Sequence, residues 1–250
     1  MSLPRRCLQL DVGNSSAKWR LLVDGEISAR GVYRPGDSAS RQALLACTPE
    51  LEAMWVSSVA GEAAEADLAA MLEGRWGCAA WFARSEVETL GLRNSYDEPR
   101  RMGVDRWLAM LAARNRHPDT RLCVVDAGSA LTIDLVGADS CHQGGYIIPG
   151  PGLMERALLL DTDRVRFAEA AEYSLAPGTC TAQAVRHGIG LAQAGAVTLA
   201  LREAALSGPP LPVFTGGGGE WLAATLGGIG EFVPDLVLDG LQLVGQARAR

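Results

Sequence analysis

Two stretches of the chain, Leu8–Leu22 and Leu122–Val136, repeat one pattern of apolar and polar positions. In each stretch an apolar run typical of a buried strand ends in Asp-x-Gly and a small polar residue, and a second strand-like run then returns. Each stretch is followed by another turn signal and a further strand-like run. One such hairpin is ordinary, but two copies in the same order indicate duplicated domains.

The rest of the chain alternates between strand and helix patterns, which is typical of an α/β fold. Helices are predicted over Ser40–Glu52, Glu62–Leu72, Trp107–Arg114, Leu153–Leu160 and Ala182–Leu206, and strands over Met54–Ala60, Cys78–Phe82 and Leu211–Phe214. Turn residues at His117–Thr120 mark a connection between the halves. The sequence therefore predicts two α/β domains, residues 1–118 and 119–250, that face each other across a cleft.

The first turn, Asp11–Lys18, combines groups that can hold a metal ion and a phosphate. Its glycine and asparagine tolerate the positive φ of a tight hairpin, and backbone N–H groups of such a turn can point at an anion. Two serine hydroxyls and the Lys18 ammonium add donors. The Asp11 carboxylate would repel a phosphate unless a divalent cation lay between them. The pattern predicts a metal–phosphate loop, with an ordinary hairpin as the alternative.

An irregular segment precedes the predicted helix at Trp107. Pro99 and Gly103 interrupt regular structure, and Asp105 stands where the helix begins. An aspartate at this place is commonly an N-cap, and the alternative is a carboxylate exposed at the mouth of the cleft. The segment by itself leaves both interpretations open. Later in the chain, four glycines within Thr215–Glu220 permit the close approach of a flat or phosphorylated ligand.

Charge and composition argue against several classes of protein. A formal net charge of −6 without a basic stripe disfavours nucleic-acid binding. No stretch has the about 20 apolar residues of a membrane helix, and the apolar run after Arg6 is too short for a signal peptide. The six cysteines contain no C-x-x-C pair, which is typical of reduced, mostly buried cysteines in a cytoplasmic protein. The three histidines lack metal-ligand spacing, which disfavours a structural zinc site.

Five motifs occur in an order that resembles the type III pantothenate kinases, a family that includes proteins named Bvg accessory factors. The motifs are Asp11–Ser15, Gly103–Trp107, Asp126–Ala130, Gly144–Gly150 and Thr215–Gly217. The resemblance covers essentially the whole chain, and the Gly-x-Asp-Arg element between the two Asp-x-Gly turns separates this family from larger relatives. It implies an α/β fold of two similar actin-like domains (ribonuclease H-like, ASKHA superfamily) with a cleft between them.

The resemblance implies a cytoplasmic kinase that transfers the γ-phosphoryl group of ATP to pantothenate. The product would be 4'-phosphopantothenate, in the first step of coenzyme A biosynthesis. It implies Mg²⁺ or another divalent cation with ATP, and K⁺ or NH₄⁺ as an activating monovalent cation. It also implies a homodimer, which the Ala-rich stretch Ala182–Leu206 supports because it has too little polar surface to be freely solvated. Neither nucleic acid nor a membrane is expected as a partner.

Individual residues acquire roles from the same resemblance. Asp105 matches the catalytic base, Asp126 a ligand of the monovalent cation, and Asp11 a ligand of Mg²⁺, direct or through water. The residues that match the ATP and phosphate contacts are Asp11, Val12, Gly13, Asn14, Ser15, Ser16, Ala17, Lys18 and Ser129. The residues that match the pantothenate contacts are Tyr96, Gly103, Val104, Asp105, Arg106 and Thr181. Ser15 and Ser129 stand where threonine is usual in the family, and both keep the hydroxyl.

Two other functions use the same scaffold. Another small-molecule kinase would keep both Asp-x-Gly turns but would have no need of the Gly103–Arg106 element. A non-enzymatic regulatory protein, as the accessory-factor name suggests, could lose Asp105 or the glycine-rich Thr215–Gly219 loop. Because this chain has both, the sequence favours the pantothenate kinase.

Overall fold

The structure, a computed structural model, describes residues 4–249 and divides into two units. One unit comprises the chain up to Arg116 together with the segment from Leu236, and the other comprises His117–Asp235. The strands are β1 (Arg6–Val12), β2 (Ala17–Val23), β3 (Glu26–Tyr33), β4 (Ala53–Ser58), β5 (Ala80–Phe82), β6 (Glu88–Thr89), β7 (Leu92–Arg93), β8 (Leu122–Ala127), β9 (Ala130–Val136), β10 (His142–Pro149), β11 (Leu211–Thr215) and β12 (Glu231–Phe232). The α-helices are α1 (Ser38–Leu45), α2 (Glu62–Trp76), α3 (Val104–Arg116), α4 (Pro151–Asp161), α5 (Thr181–Ala205), α6 (Gly219–Thr225) and α7 (Leu236–Ala249), and a 3₁₀ turn covers Pro99–Arg101.

The two units contain five-stranded sheets of the same topology. The first sheet has the order β3-β2-β1-β4-β5, and the second has the order β10-β9-β8-β11-β12. In each sheet three strands that follow one another in the chain, β1–β3 or β8–β10, form an antiparallel meander. The first strand of each meander, β1 or β8, is central in its sheet and also pairs in parallel with a later strand, β4 or β11. The second sheet repeats the first strand for strand. This confirms the duplicated α/β fold that the two Asp-x-Gly turns predict.

The duplication places two aspartates at equivalent positions. Asp11 lies near the end of β1, opposite Lys18 on β2 and Ser57 on β4. Asp126 lies near the end of β8, opposite Thr215 on β11. Each aspartate therefore stands at the carboxyl end of a central strand, which is where ligands of α/β sheets bind.

The first sheet separates a hydrophobic core from the face that carries Asp11. Leu8 and Leu10 of β1 are buried on one face, together with Leu44 of α1 and Leu72 of α2. Because side chains alternate along a strand, Asp11 belongs to the opposite face. Helix α7 contacts β1 and β4 and packs along α3, and α3 also contacts β4. The elements of the candidate site thus share one side of this sheet.

Helix α7 belongs to the first unit. A Cβ on Gly240 would overlap the Leu108 carbonyl oxygen, and a Cβ on Gly245 would overlap the Trp55 ring, so these glycines let α7 approach α3 and β4 closely. The division predicted from the sequence, 1–118 and 119–250, instead groups this helix with the second half. The difference arises because a helix that returns to an earlier sheet leaves no local signal in its own sequence.

The second unit has its own core, formed by its sheet with α5 and α6. Its buried members include Val125, Leu131, Val197, Phe214 and Leu222. Helix α5 contributes Val197 to this core and leaves other apolar side chains exposed.

Within residues 4–249 no helix combines the length and apolar character that a membrane crossing requires.

Several element boundaries differ from those predicted. Helix α1 ends at Leu45, before Pro49, which cannot donate the helical hydrogen bond. Helix α2 continues to Trp76 and ends where Gly77 adopts a left-handed conformation. The short hairpin of β6 and β7 has no counterpart in the prediction, because two-residue strands are too short for a periodic pattern.

Candidate active site

The first Asp-x-Gly turn is the four-residue connection 13–16 between β1 and β2. The Gly13 N–H donates to the Ser16 carbonyl oxygen at 3.0 Å and closes the turn. The tip of the turn and Lys18 are exposed. The expected positive φ is wrong, because the left-handed residues within 4–249 include neither Gly13 nor Asn14. A four-residue connection does not need the mirror-image geometry of a two-residue hairpin.

A buried serine orients the Asp11 carboxylate. The Ser57 hydroxyl donates to Asp11 Oδ1 at 3.2 Å. Ser57 is 0% exposed and lies directly opposite Asp11 on the parallel strand β4, whereas Asp11 is half-buried. Sequence reasoning missed Ser57 because parallel strands pair across a long connection. The available signal was that the predicted strand at residues 54–60 ends in small residues, among them two serines.

Asp105 is the second residue of α3, which begins at Val104. Its Oδ1 accepts a hydrogen bond from the Arg106 N–H at 2.8 Å. The Trp107 N–H donates to the Gly103 carbonyl at 3.1 Å, so Gly103 occupies the N-cap position and the N-cap interpretation of Asp105 is wrong. A Cβ on residue 103 would lie 2.5 Å from Asp105 Oδ1. Glycine at 103 therefore makes room for the carboxylate.

Arg106 and Tyr96 form a partly buried contact in the first unit. Arg106 is 5% exposed, and its Nη1 donates to Tyr96 Oη at 2.9 Å. The guanidinium carbon lies 5.8 Å from the centre of the Tyr96 ring. The Tyr96 N–H donates to Asn94 Oδ1 at 3.0 Å, which fixes the backbone of this loop. The structure thus places Tyr96 beside the Gly-x-Asp-Arg element, and it adds Asn94, which the sequence analysis did not single out.

In the second unit, Asp126 lies against the glycine-rich loop. Gly216 adopts a φ of +81°, and a Cβ there would overlap Asp126 Oδ1 and lie 2.7 Å from the Ala127 carbonyl oxygen. The Gly218 N–H donates to that carbonyl at 2.9 Å. Only glycine satisfies both the backbone conformation and the close contact at position 216. The second Asp-x-Gly turn and the glycine-rich loop are therefore packed directly against each other.

Ser129 is exposed at the tip of the second turn. The Gly128 N–H donates to the Ala130 carbonyl at 2.9 Å, and the Ser129 carbonyl accepts a hydrogen bond from the Gly150 N–H at 3.1 Å. The Pro-Gly end of β10 is thus in direct contact with this turn.

Thr181 lies at a different place in the second unit, as the first residue of α5. Cys180 is the N-cap residue and makes no side-chain capping bond. Thr181 is exposed and lines an apolar cavity of about 1070 Å³ beside α4 and α5. The apolar side chains that line this cavity include Leu153, Leu158, Val185 and Ile189.

The cysteines are less buried than the sequence predicts. Only Cys7 and Cys123 are buried, and Cys180 is exposed. Burial raises the pKa of the Cys123 thiol to about 12 and holds the pKa of Cys7 well above its usual range. Within residues 4–249 no group of three or more His, Cys, Asp or Glu side chains could hold a metal ion.

Comparisons of sequence identify a family. A family model described as type III pantothenate kinase matches residues 7–203. A protein named type III pantothenate kinase from Thiobacillus denitrificans is 40% identical over 243 residues, which cover 96% of this chain and 97% of that protein.

Comparisons of structure agree with the duplicated fold. A Baf family protein from Campylobacter jejuni superposes with a TM-score of 0.63 at 21% identity and covers 97% of this chain and 98% of its own. The activator of 2-hydroxyisocaproyl-CoA dehydratase from Clostridium difficile, solved with bound ADPNP, gives a TM-score of 0.54 at 14% identity and covers 98% of this chain and 96% of its own. At these identities the likeness concerns the fold alone. The expected α/β class with two similar units is confirmed.

Proposed function

This chain belongs to the type III pantothenate kinase family, and we propose that it transfers the γ-phosphoryl group of ATP to pantothenate in the first step of coenzyme A biosynthesis. The observation that carries the proposal is the arrangement of Tyr96, Asp105 and Arg106 around the start of α3. It groups a carboxylate, a guanidinium and a phenol in the unit that also carries the Asp11 turn. Another kinase of this fold, or a regulatory protein, has no need of this group, and the full-length relative at 40% identity is named as a kinase.

Asp11 and the turn after it are proposed to hold Mg²⁺ and the ATP phosphates. Mg²⁺ in phosphoryl-transfer enzymes is bound by one or two carboxylates together with phosphate oxygens and water, so a single oriented carboxylate fits. When bound, Mg²⁺ would offset the negative charge of the phosphates. The exposed N–H groups of residues 13–16, the serine hydroxyls and Lys18 would bind phosphate oxygens. The Ser57 hydroxyl keeps the Asp11 carboxylate in one orientation.

Asp105 is proposed as the general base. As the pantothenate hydroxyl oxygen attacks the γ-phosphorus, the carboxylate would accept the hydroxyl proton. The hydrogen bond from the Arg106 N–H fixes the orientation of this carboxylate. The missing side chain at Gly103 leaves space beside it.

Arg106 and Tyr96 are proposed to recognise pantothenate. The guanidinium of Arg106 is a rigid fork of donors that suits a carboxylate, and the substrate has one. Tyr96 fixes the guanidinium through the hydrogen bond and the ring contact and offers its ring to the pantothenate chain. Gly103 and Val104 would complete this subsite.

Asp126 is proposed to hold the monovalent cation, K⁺ or NH₄⁺. Asp126 Oδ1 and the Ala127 carbonyl oxygen both lie close to Gly216, so the two oxygens are near each other. Carboxylate and carbonyl oxygens are suitable ligands for a hard cation. Such a cation would neutralise a carboxylate that otherwise repels phosphate. Ser129, in the same turn, would contact ATP.

We further propose a cytoplasmic homodimer built partly on α5. The support is the apolar cavity lined by Thr181, Leu153 and Leu158, together with exposed leucines on α5 such as Leu191, which is 59% exposed. Large apolar side chains exposed on a helix are typical of interaction sites.

The proposed reaction is tested by measuring ADP release from Mg·ATP in K⁺, with and without pantothenate. ADP release that depends on pantothenate, with one phosphorylated pantothenate formed per ADP, is the expected result. ADP release that pantothenate does not change would contradict the function.

A further inference from the structure

Helix α5 contains a buried amide that the proposed reaction does not use. Gln193 is 2% exposed, and its Nε2 donates to the Pro149 carbonyl at 3.0 Å and approaches Met154 Sδ at 3.6 Å. A buried amide is costly unless it is hydrogen-bonded, so the contact with Pro149 determines where this side chain lies. The bond joins α5 to the last residue of β10.

The next residue, Gly150, presses against the second Asp-x-Gly turn. Its N–H donates to the Ser129 carbonyl at 3.1 Å. A Cβ on Gly150 would lie 2.5 Å from the Ser129 carbonyl oxygen and 2.6 Å from the Gly128 carbonyl oxygen. The space between Gly150 and the turn therefore has no room for a side chain at residue 150.

We propose that Gln193 is a positioning residue for the nucleotide-binding turn at Gly128–Ser129. Its amide holds the Pro149 carbonyl, Pro149 fixes Gly150, and Gly150 supports the turn through the Ser129 carbonyl. The inference rests on the proposed role of Ser129 as an ATP contact. It extends that role to a side chain that does not touch ATP, and it makes α5 the support of the turn.

The substitution Gln193→Leu tests this proposal because it keeps the approximate size of the side chain and removes the donor. The matched control is Val197→Ala. Val197 lies one turn further along α5, is 0% exposed, and belongs to the core of the same unit. The substitution Val197→Ala destabilises that core without removing the hydrogen bond from Gln193 to the Pro149 carbonyl.

Binding of the non-hydrolysable analogue ADPNP with Mg²⁺ is measured by titration calorimetry below the melting temperature of each variant. We expect the Kd of Gln193→Leu to rise about tenfold, because the displaced turn would lose about one hydrogen bond from Ser129 to the charged ligand. The Kd of Val197→Ala should stay within about twofold of that of the parent. In turnover assays the KM for ATP should rise with that Kd, while the KM for pantothenate stays near that of the parent. A role confined to stability does not separate the two KM values.

An unchanged Kd in Gln193→Leu, or equal losses in both variants, would overturn the proposal. If Gln193→Leu does not fold, Gly150→Ala replaces it, because a Cβ on residue 150 disturbs the contact between Gly150 and the Gly128–Ser129 turn. This variant should weaken ADPNP binding at least tenfold. Normal ADPNP binding by Gly150→Ala would overturn the proposal as well. The calorimetric readout needs no pantothenate. A parent protein that binds ADPNP and does not phosphorylate pantothenate would therefore contradict the proposed function and leave the test of Gln193 intact.

Discussion

The position of Asp105 within α3 allows its chemical role to be separated from its structural role. It lies in the first turn, where a negative charge stabilises the helix by about 0.3–1 kcal/mol. In Asp105→Asn the side chain keeps its shape and an acceptor for the Arg106 N–H, but it cannot take up the substrate proton. We expect kcat to fall roughly 10²–10⁴-fold, the usual contribution of a general base, while the melting temperature changes by a few degrees at most.

Asp37→Asn is the matched control for this variant. Asp37 caps α1 in the same unit by accepting a hydrogen bond from the Ala39 N–H, so the variant also removes a helix-stabilising charge. Its kcat should equal that of the parent. A folded Asp105→Asn enzyme with a kcat within a few-fold of the parent would remove Asp105 from the mechanism.

Asp126 should create a requirement for a monovalent cation. In the proposed role its carboxylate would repel a bound phosphate unless a cation lay between them, so activity should be low in Na⁺ alone and rise with K⁺ or NH₄⁺. In Asp126→Ala this response should disappear, whereas Asp163→Ala, at an exposed position in the same unit, should keep it. The measurement is the initial rate as a function of each chloride salt at constant ionic strength. Equal rates of the unmodified enzyme in Na⁺ and K⁺ would contradict this role.

The sequence predicts the residues that carry charge at the site better than the residues that orient them. Asp11 and Asp126 stand out because each ends an apolar run two residues before a glycine, and Asp105 stands out because it precedes an apolar run two residues after a glycine. Ser57 and Gln193 do not stand out, because their partners are 46 and 44 residues away along the chain. The sequence of a strand or helix does not state which distant polar group it will meet.

At the scale of elements, α7 is fixed to the first sheet by a buried guanidinium. Arg20 of β2 donates to Gln9 at 2.7 Å, to Asp239 at 2.8 Å and to Gln242 at 3.0 Å. The Arg20 side chain is 3% exposed and that of Asp239 is 35% exposed. The elements this network joins also carry Asp11 and pack along α3.

Removing the Asp239 carboxylate from the Arg20 network should lower the free energy of unfolding measurably. Breaking a fully buried ion pair costs about 3–5 kcal/mol, and because Asp239 is a third exposed we expect Asp239→Ala to lower the free energy of unfolding by about 2 kcal/mol. The matched control is Asp24→Asn, which breaks the exposed pair with Arg5, keeps a side chain that tolerates the left-handed backbone at this position, and should cost at most about 1 kcal/mol. Urea unfolding at pH 7 measures both values. Equal losses in the two variants would show that the Arg20 network contributes no more than a surface ion pair.

Whether a segment is a strand or a helix follows from its sequence more readily than which other elements it packs against. The strand patterns around both Asp-x-Gly turns correspond to β1–β2 and β8–β9, because alternating and apolar runs depend on local residues. The attachment of α7 to the first unit depends on Gly240 and Gly245 meeting surfaces on α3 and β4. Complementarity of that kind appears only when both surfaces are folded.

At the scale of the whole molecule, the identical strand order of the two sheets and the match over nearly the full chain make this a duplicated α/β kinase fold. The two units differ in their surfaces. The second unit exposes large apolar side chains on α4 and α5, among them Leu160 and Leu191, and other residues of the same two helices line a wide apolar cavity. The sequence already predicts that the Ala-rich helix is not freely solvated, and the exposed leucines strengthen that argument.

The quaternary structure is therefore the property of the whole molecule to measure. Light scattering at micromolar concentration should give about twice the chain mass of 26.4 kDa. Leu191→Glu places a charge on the exposed side of α5 and should shift the mass toward that of one chain, because an unpaired buried charge disfavours association. Val87→Glu, at a position in the first unit that is 69% exposed, is the matched control and should leave the mass unchanged. A single-chain mass for the unmodified protein would contradict the homodimer. A doubled mass in Leu191→Glu would instead move the interface away from this side of α5.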